Sequence, residues 1–162
     1  MTIIGIDPGL ARLGFGIIKK INNKIKLLDY GCIKTSPVFP TGERLKKINN
    51  EINKIIRRYK PKILAIENLY FFKNLKTAMP VSQVKGVILL TAAKKKIPVF
   101  EITPLQMKMT ITGYGKAEKK QVQKMIKVLL DLKETPTSDD AADALGIALC
   151  CLLYYENKKV KK

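Results

Sequence analysis

The chain has no histidine, only 13 acidic residues against 31 Lys and Arg, and just three cysteines. The missing imidazole removes the common nitrogen ligand of zinc sites, so any metal centre must be built from oxygen donors. Cys32, Cys150 and Cys151 are odd in number, and two of them are adjacent inside an apolar run, so no disulfide framework can be drawn and a reducing cytoplasm is the expected compartment. Ten glycines and eight prolines in 162 residues leave no low-complexity linker, and no internal repeat is visible. Ile3, Ile4 and Ile6 follow the N-terminus directly with no basic leader, which argues against a signal peptide. The longest apolar stretch, 141–155, is broken by Asp143 and is shorter than the roughly 20 residues of a membrane span. It reads as a core helix, and no membrane partner is expected.

What is present is charge of one sign and enough apolar material for one core. A formal charge of +18 and a pI near 9.9 in a chain that is 46% apolar are the electrostatic footprint of a domain that binds a polyanion, nucleic acid first of all. The plainer alternative is drift on a solvated face, since 27 of the basic residues are Lys and only four are Arg. The length suits a single domain over 1–156, followed by a basic tail over 157–162 that is expected to be disordered.

Three strands come first, over 3–7, 14–19 and 26–33, joined by the turn signals Asp7-Pro8-Gly9 and Asn22-Asn23. They predict an antiparallel meander. Leu45, Ile48, Ile52, Ile55, Ile56 and Tyr59 then follow helical spacing from Thr41 to Lys60. After Pro61, Ile63 to Ile66 form an almost wholly apolar strand, the mark of one covered on both faces, and it stops at Glu67. A second helix through Met79, Val84 and Ile88 leads to a strand at Val99–Ile102. The pattern over 104–112 is mixed, 113–116 is a loop, and helices follow around Val122 to Leu130 and from Asp139 onward. Together these predict an α/β fold with a five-stranded mixed sheet, three antiparallel strands followed by two parallel ones, and helices on both faces.

In so basic a chain the acids stand out. Asp7 and Glu67 each end an apolar strand, where an unpaired charge is costly to bury. If those strands are parallel neighbours, their C-terminal ends meet at the switch point where open sheets bind ligands. Asp140 and Asp143, three apart, lie on one face of the last helix in line with Ile147. Like charges gathered in this way raise one another's pKa unless a cation offsets them, and an all-oxygen set suits Mg2+ or Mn2+. Singly, each acid has a plainer reading, a turn for Asp7 or helix-dipole complementarity for Asp140 and Asp143. Tyr70, Phe71 and Phe72 follow Glu67 in an expected exposed loop; they could stack on bases, cap the core or form a subunit contact.

Four segments carry a resemblance: I-G-I-D-P-G at Ile4–Gly9, A-I-E-N-L-Y at Ala65–Tyr70, T-G-Y-G-K-A-E-K-K-Q-V at Thr112–Val122 and D-A-A-D-A-L at Asp140–Leu145. In this order and over nearly the whole chain, they resemble the RuvC family of bacterial Holliday-junction resolvases. The resemblance implies an RNase H-like fold and a structure-selective endodeoxyribonuclease that cuts four-way DNA junctions by paired symmetric nicks. It also implies Asp7, Glu67, Asp140 and Asp143 as catalytic ligands of two Mg2+ ions, replaceable by Mn2+, with Asp139 outside the set. It further implies Tyr70 as a base-stacking residue, Lys108 and Lys119 on DNA with Lys116 extending that surface, and RuvA and RuvB as partners. Lys120 and Lys124 continue the basic face. The two-fold symmetry of a junction calls for a homodimer, with the helix over 76–93 as its expected surface. Asn68 and Gly146 depart from what other family members often carry. Two other readings remain, an RNase H-like nuclease acting on RNA or RNA–DNA hybrid, and a non-catalytic junction-binding protein.

Overall fold

The structure, a computed structural model, describes residues 1–22, 24–68, 75–136 and 138–160, with the backbone alone at 75–77 and 157–160. Five strands, β1 (Thr2–Asp7), β2 (Arg12–Ile21), β3 (Lys24–Lys34), β4 (Ile63–Glu67) and β5 (Val99–Ile102), form one sheet in the order β3-β2-β1-β4-β5. β1, β2 and β3 are antiparallel, whereas β4 lies parallel to β1 and β5 parallel to β4. The mixed sheet matches the sequence expectation and is that of an RNase H-like fold.

The alternation of side chains along each strand splits the core into two layers. Ile4, Ile6, Leu64 and Ile66 point to one face, where they meet Ile48, Ile52 and Ile56 of α1 (Thr41–Tyr59) and Val84, Ile88 and Ala92 of α2 (Leu75–Lys94). Ile3, Ile63 and Ala65 point to the other, under α3 (Pro104–Thr112), α4 (Lys119–Leu129) and α5 (Asp139–Val160). On the odd-numbered face of β1 and β4, the next positions in register after Ile3-Gly5 and Ile63-Ala65 are Asp7 and Glu67. Both acids therefore project toward α5.

Residues 104–112 form a helix despite their mixed apolar pattern. Only Met107 and Ile111 are buried, while Leu105 and Met109 face outward, so the helical period is weak. Its ends supply the missing signal: Thr103 accepts from the Gln106 amide N–H, the Gln106 side chain accepts from the Thr103 N–H, and Pro104 sits in the first turn. α5 continues to Val160, past the boundary placed at 156.

Candidate active site

α5 approaches the sheet far more closely than a helix with ordinary neighbours could. A β-carbon on Gly14 would lie 2.0 Å from the Asp140 carbonyl oxygen, and one on Gly5 would lie 2.1 Å from that of Ala144. These two glycines are required by backbone contact, since any side chain would push the helix away. Gly14 is the register partner of Asp7 on β1 and of Cys32 on β3. The first turn of α5 is thereby pressed onto the strand position next to Asp7. Glu67 reaches the same place from the other side, one residue beyond the Ile6–Ile66 pair.

The electrostatics record the convergence. Asp7 is pushed from 3.8 up to about 7, by burial first and then by the charges of Glu67, Asp143 and Asp140. Glu67 is also raised to about 7, by burial and then by Asp143. Burial raises Asp143 as well, against the pull of Lys119. No described side chain donates a hydrogen bond to the carboxylate of Asp7 or Glu67.

The two helix acids are held differently. Asp140 Oδ2 accepts from Arg12 Nε at 2.7 Å, from Ser138 Oγ at 3.4 Å and from the Cys32 thiol at 3.7 Å. Asp143 accepts from Lys119 Nζ at 3.2 Å. Asp139 turns outward, where Gln123 donates to it and Lys119 lies 3.4 Å away, and these partners hold its carboxyl below the ordinary range. In this arrangement no three acid or cysteine side chains among the described residues stand close enough to hold one ion. The donor chemistry nonetheless fits a hard divalent cation: burial and neighbouring carboxylates resist the ionisation of Asp7 and Glu67, burial does so for Asp143, and the chain offers no imidazole.

The basic residues divide. Lys108 is half-buried on α3, Lys116 is exposed between α3 and α4, and Lys120 and Lys124 are exposed on α4. Lys119, at the start of α4, reaches the acids themselves. Tyr70, Phe71 and Phe72 lie outside the described residues. Cys32, unlike the buried pair Cys150 and Cys151, has a polar neighbour, because its pairing with Gly14 turns the thiol toward Asp140. Nothing in the sequence marks Arg12 as part of the site. A lone arginine at the start of a strand looks like surface charge, and only the return of the chain 128 residues later gives it a partner.

A mixed sheet of this order with acids at the ends of two parallel central strands and on a crossing helix has the architecture of the RNase H-like nucleases. Comparison with known proteins narrows this class. The family Crossover junction endodeoxyribonuclease RuvC matches residues 3–151. Crossover junction endodeoxyribonuclease RuvC of Alkaliphilus metalliredigens is 52% identical over 150 residues, 93% of this chain and 92% of that protein. The RuvC structure from Thermus thermophilus superposes with a TM-score of 0.89 at 34% identity, covering 98% of this chain and 97% of the other. The T. thermophilus RuvC solved in complex with a Holliday junction substrate gives a TM-score of 0.88 at 32% identity, with 96% of each chain covered. The chain belongs to the RuvC family.

Proposed function

We propose that this chain is a structure-selective endodeoxyribonuclease that resolves four-way DNA junctions by paired symmetric nicks, in homologous recombination and DNA repair. The observation that carries the reading is the convergence of Asp7 and Glu67 with the acids of α5 at the C-terminal edge of the sheet, in a chain of charge +18. The solved complex of the T. thermophilus relative with junction DNA supports this substrate.

In this reading Asp7, Glu67, Asp140 and Asp143 would hold two Mg2+ ions, and Mn2+ could substitute. Bound there, the ions would supply Lewis acidity for hydrolysis and would offset charge on the scissile phosphate. The protein does the rest. Gly5 and Gly14 hold the α5 backbone against the sheet, so Asp140 and Asp143 are presented with little freedom. Burial makes Asp7 and Glu67 keep their protons up to about pH 7, so loading the site also expels protons. Lys119, beside Asp143, is placed to meet a phosphate that approaches the acids, and Lys108 and Lys116 extend phosphate contact along the backbone. Tyr70 stacks on a base near the junction centre.

Two symmetric cuts require two such sites, and the exposed Met79 and Leu90 on α2 support that helix as the homodimer surface. RuvA and RuvB are the proposed partners, by family membership. Among the described residues no helix is long and apolar enough to cross a membrane, in line with a proposed cytoplasmic location. The test is cleavage of mobile and immobile four-way junctions beside linear duplex and RNA–DNA hybrid, in Mg2+ and in chelator. Metal-dependent cutting confined to junctions is expected. Cutting of the hybrid alone would establish the RNA-directed alternative, and junction binding with no cutting in any metal would establish a non-catalytic protein.

A further inference from the structure

The side chains around Asp140 form an arrangement that the proposed function does not explain. Its Oδ2 atom takes three donors, Arg12 Nε at 2.7 Å, Ser138 Oγ at 3.4 Å and Cys32 Sγ at 3.7 Å, and Arg12 Nη2 also lies 3.4 Å from Ser138 Oγ. One carboxylate oxygen offers about two lone-pair sites. This oxygen is therefore saturated, so a cation that uses it must displace a donor, and one that approaches Oδ1, which takes no donor among the described residues, still meets the guanidinium charge beside it.

The two ion-pair partners differ in freedom. The Arg12 side chain is 52% exposed, whereas that of Asp140 is 26% exposed and stands on a backbone locked against Gly14. The guanidinium is the partner free to leave. It carries its charge at every working pH, and its planar fork matches phosphate oxygens at least as well as a carboxylate. A DNA backbone drawn to the acidic site would pass this rim, where Arg12 supplies the counter-charge.

We propose that Arg12 is a positioning residue that acts as an internal counter-ion: it competes with the divalent cation for Asp140 and releases the carboxylate when a DNA phosphate draws the guanidinium away. Metal and DNA then enter the site together, and each strengthens the binding of the other. The inference rests on reading the four acids as cation ligands. A guanidinium that merely fastened α5 to β2 would behave differently, because its removal would loosen the acids and weaken metal binding.

Two measurements test this. The first is Mn2+ binding without DNA, followed by electron paramagnetic resonance for the wild type, Arg12→Gln, Arg12→Lys and Asp7→Asn. Arg12→Gln is expected to bind Mn2+ about threefold to fivefold more tightly, the size of a half-exposed ion pair, with Arg12→Lys in between. Unchanged or weaker binding in Arg12→Gln, where Asp7→Asn still abolishes it, overturns the competition and leaves the metal reading standing. Mn2+ binding untouched by Asp7→Asn overturns both.

The second is junction affinity in chelator, where no cutting occurs. Against the wild-type background Arg12→Gln is expected to cost little, because the guanidinium is already engaged. Against Asp140→Asn, which frees it, the same substitution should cost about threefold to fivefold and lower the log–log salt slope by about 0.9. Equal losses in both backgrounds show that Asp140 does not restrain Arg12, and the proposal falls.

Discussion

Replacing Asp7 with Asn removes the charge that the fold tolerates least, and the cost of that charge can be followed with pH. Asp7 titrates at about 7 in the folded chain and at 3.8 in the reference state. A carboxyl whose folded pKa is raised favours folding only while it is protonated. Its penalty therefore begins near pH 4, grows as pH rises through about 7, and is constant above. The rise from 3.8 to about 7 sets a ceiling of about 4 kcal/mol on this penalty. Asp7 shares its field with Glu67 and retains some solvent contact, so about half of that, about 2 kcal/mol, is the expected effect. In chelator at pH 8, Asp7→Asn should be the more stable protein by this amount, raising the melting temperature by about 4 to 8 °C. At pH 4 the difference should nearly vanish. The chain has no tryptophan, so circular dichroism during urea or thermal unfolding is the suitable readout. Added Mg2+ should then stabilise the wild type at pH 8 and leave Asp7→Asn unmoved, because a ligand of the folded state alone raises stability in proportion to its binding. A variant destabilised at pH 8, or a difference independent of pH, would refute the crowded-acid account.

Gly14→Ala should damage both stability and cutting: its β-carbon would fall 2.0 Å from the Asp140 carbonyl oxygen, so α5 must retreat, and cleavage is expected to drop by about a hundredfold or more, as for other displacements of about 1 Å at a reacting centre. A thermal melt and a junction-nicking assay on the same preparation check it. Lys108→Ala should weaken binding of junctions of any sequence alike and reduce the log–log salt slope by about 0.9, read from affinities in chelator at several salt concentrations. A loss confined to one junction sequence would instead indicate base contact.

Much of the fold is visible in the apolar periodicity. The strand that ends at Asp7 and the one that ends at Glu67 are short, bounded by turn residues and nearly free of polar side chains, and their pairing follows from the strand-helix-strand order. The helix over 104–112 is hidden because only Met107 and Ile111 turn inward, although Thr103-Pro104 with Gln106 is a legible capping box. Asp7 and Glu67 stand out in the sequence because a charge at the end of a buried strand is costly. The approach of α5 to the strand beside Asp7 is less legible, because it depends on Gly5 and Gly14, and a glycine in a strand signals close approach without saying what approaches. Arg12 and Cys32 were beyond reach for the same reason, as both owe their roles to the start of α5 more than 100 residues away. The family resemblance implies a DNA contact for Lys119, and the structure adds its place beside Asp143.

The central claim is that Asp7, Glu67, Asp140 and Asp143 act as one site. The most direct measurement is junction nicking and junction binding for Asp7→Asn, Glu67→Gln, Asp140→Asn and Asp143→Asn, each alone, in Mg2+. All four should lose cutting by at least about a hundredfold, as expected for groups that work as a unit, while binding the junction at least about as well as the wild type. Wild-type nicking by any one of them would remove that residue from the site and contradict the account.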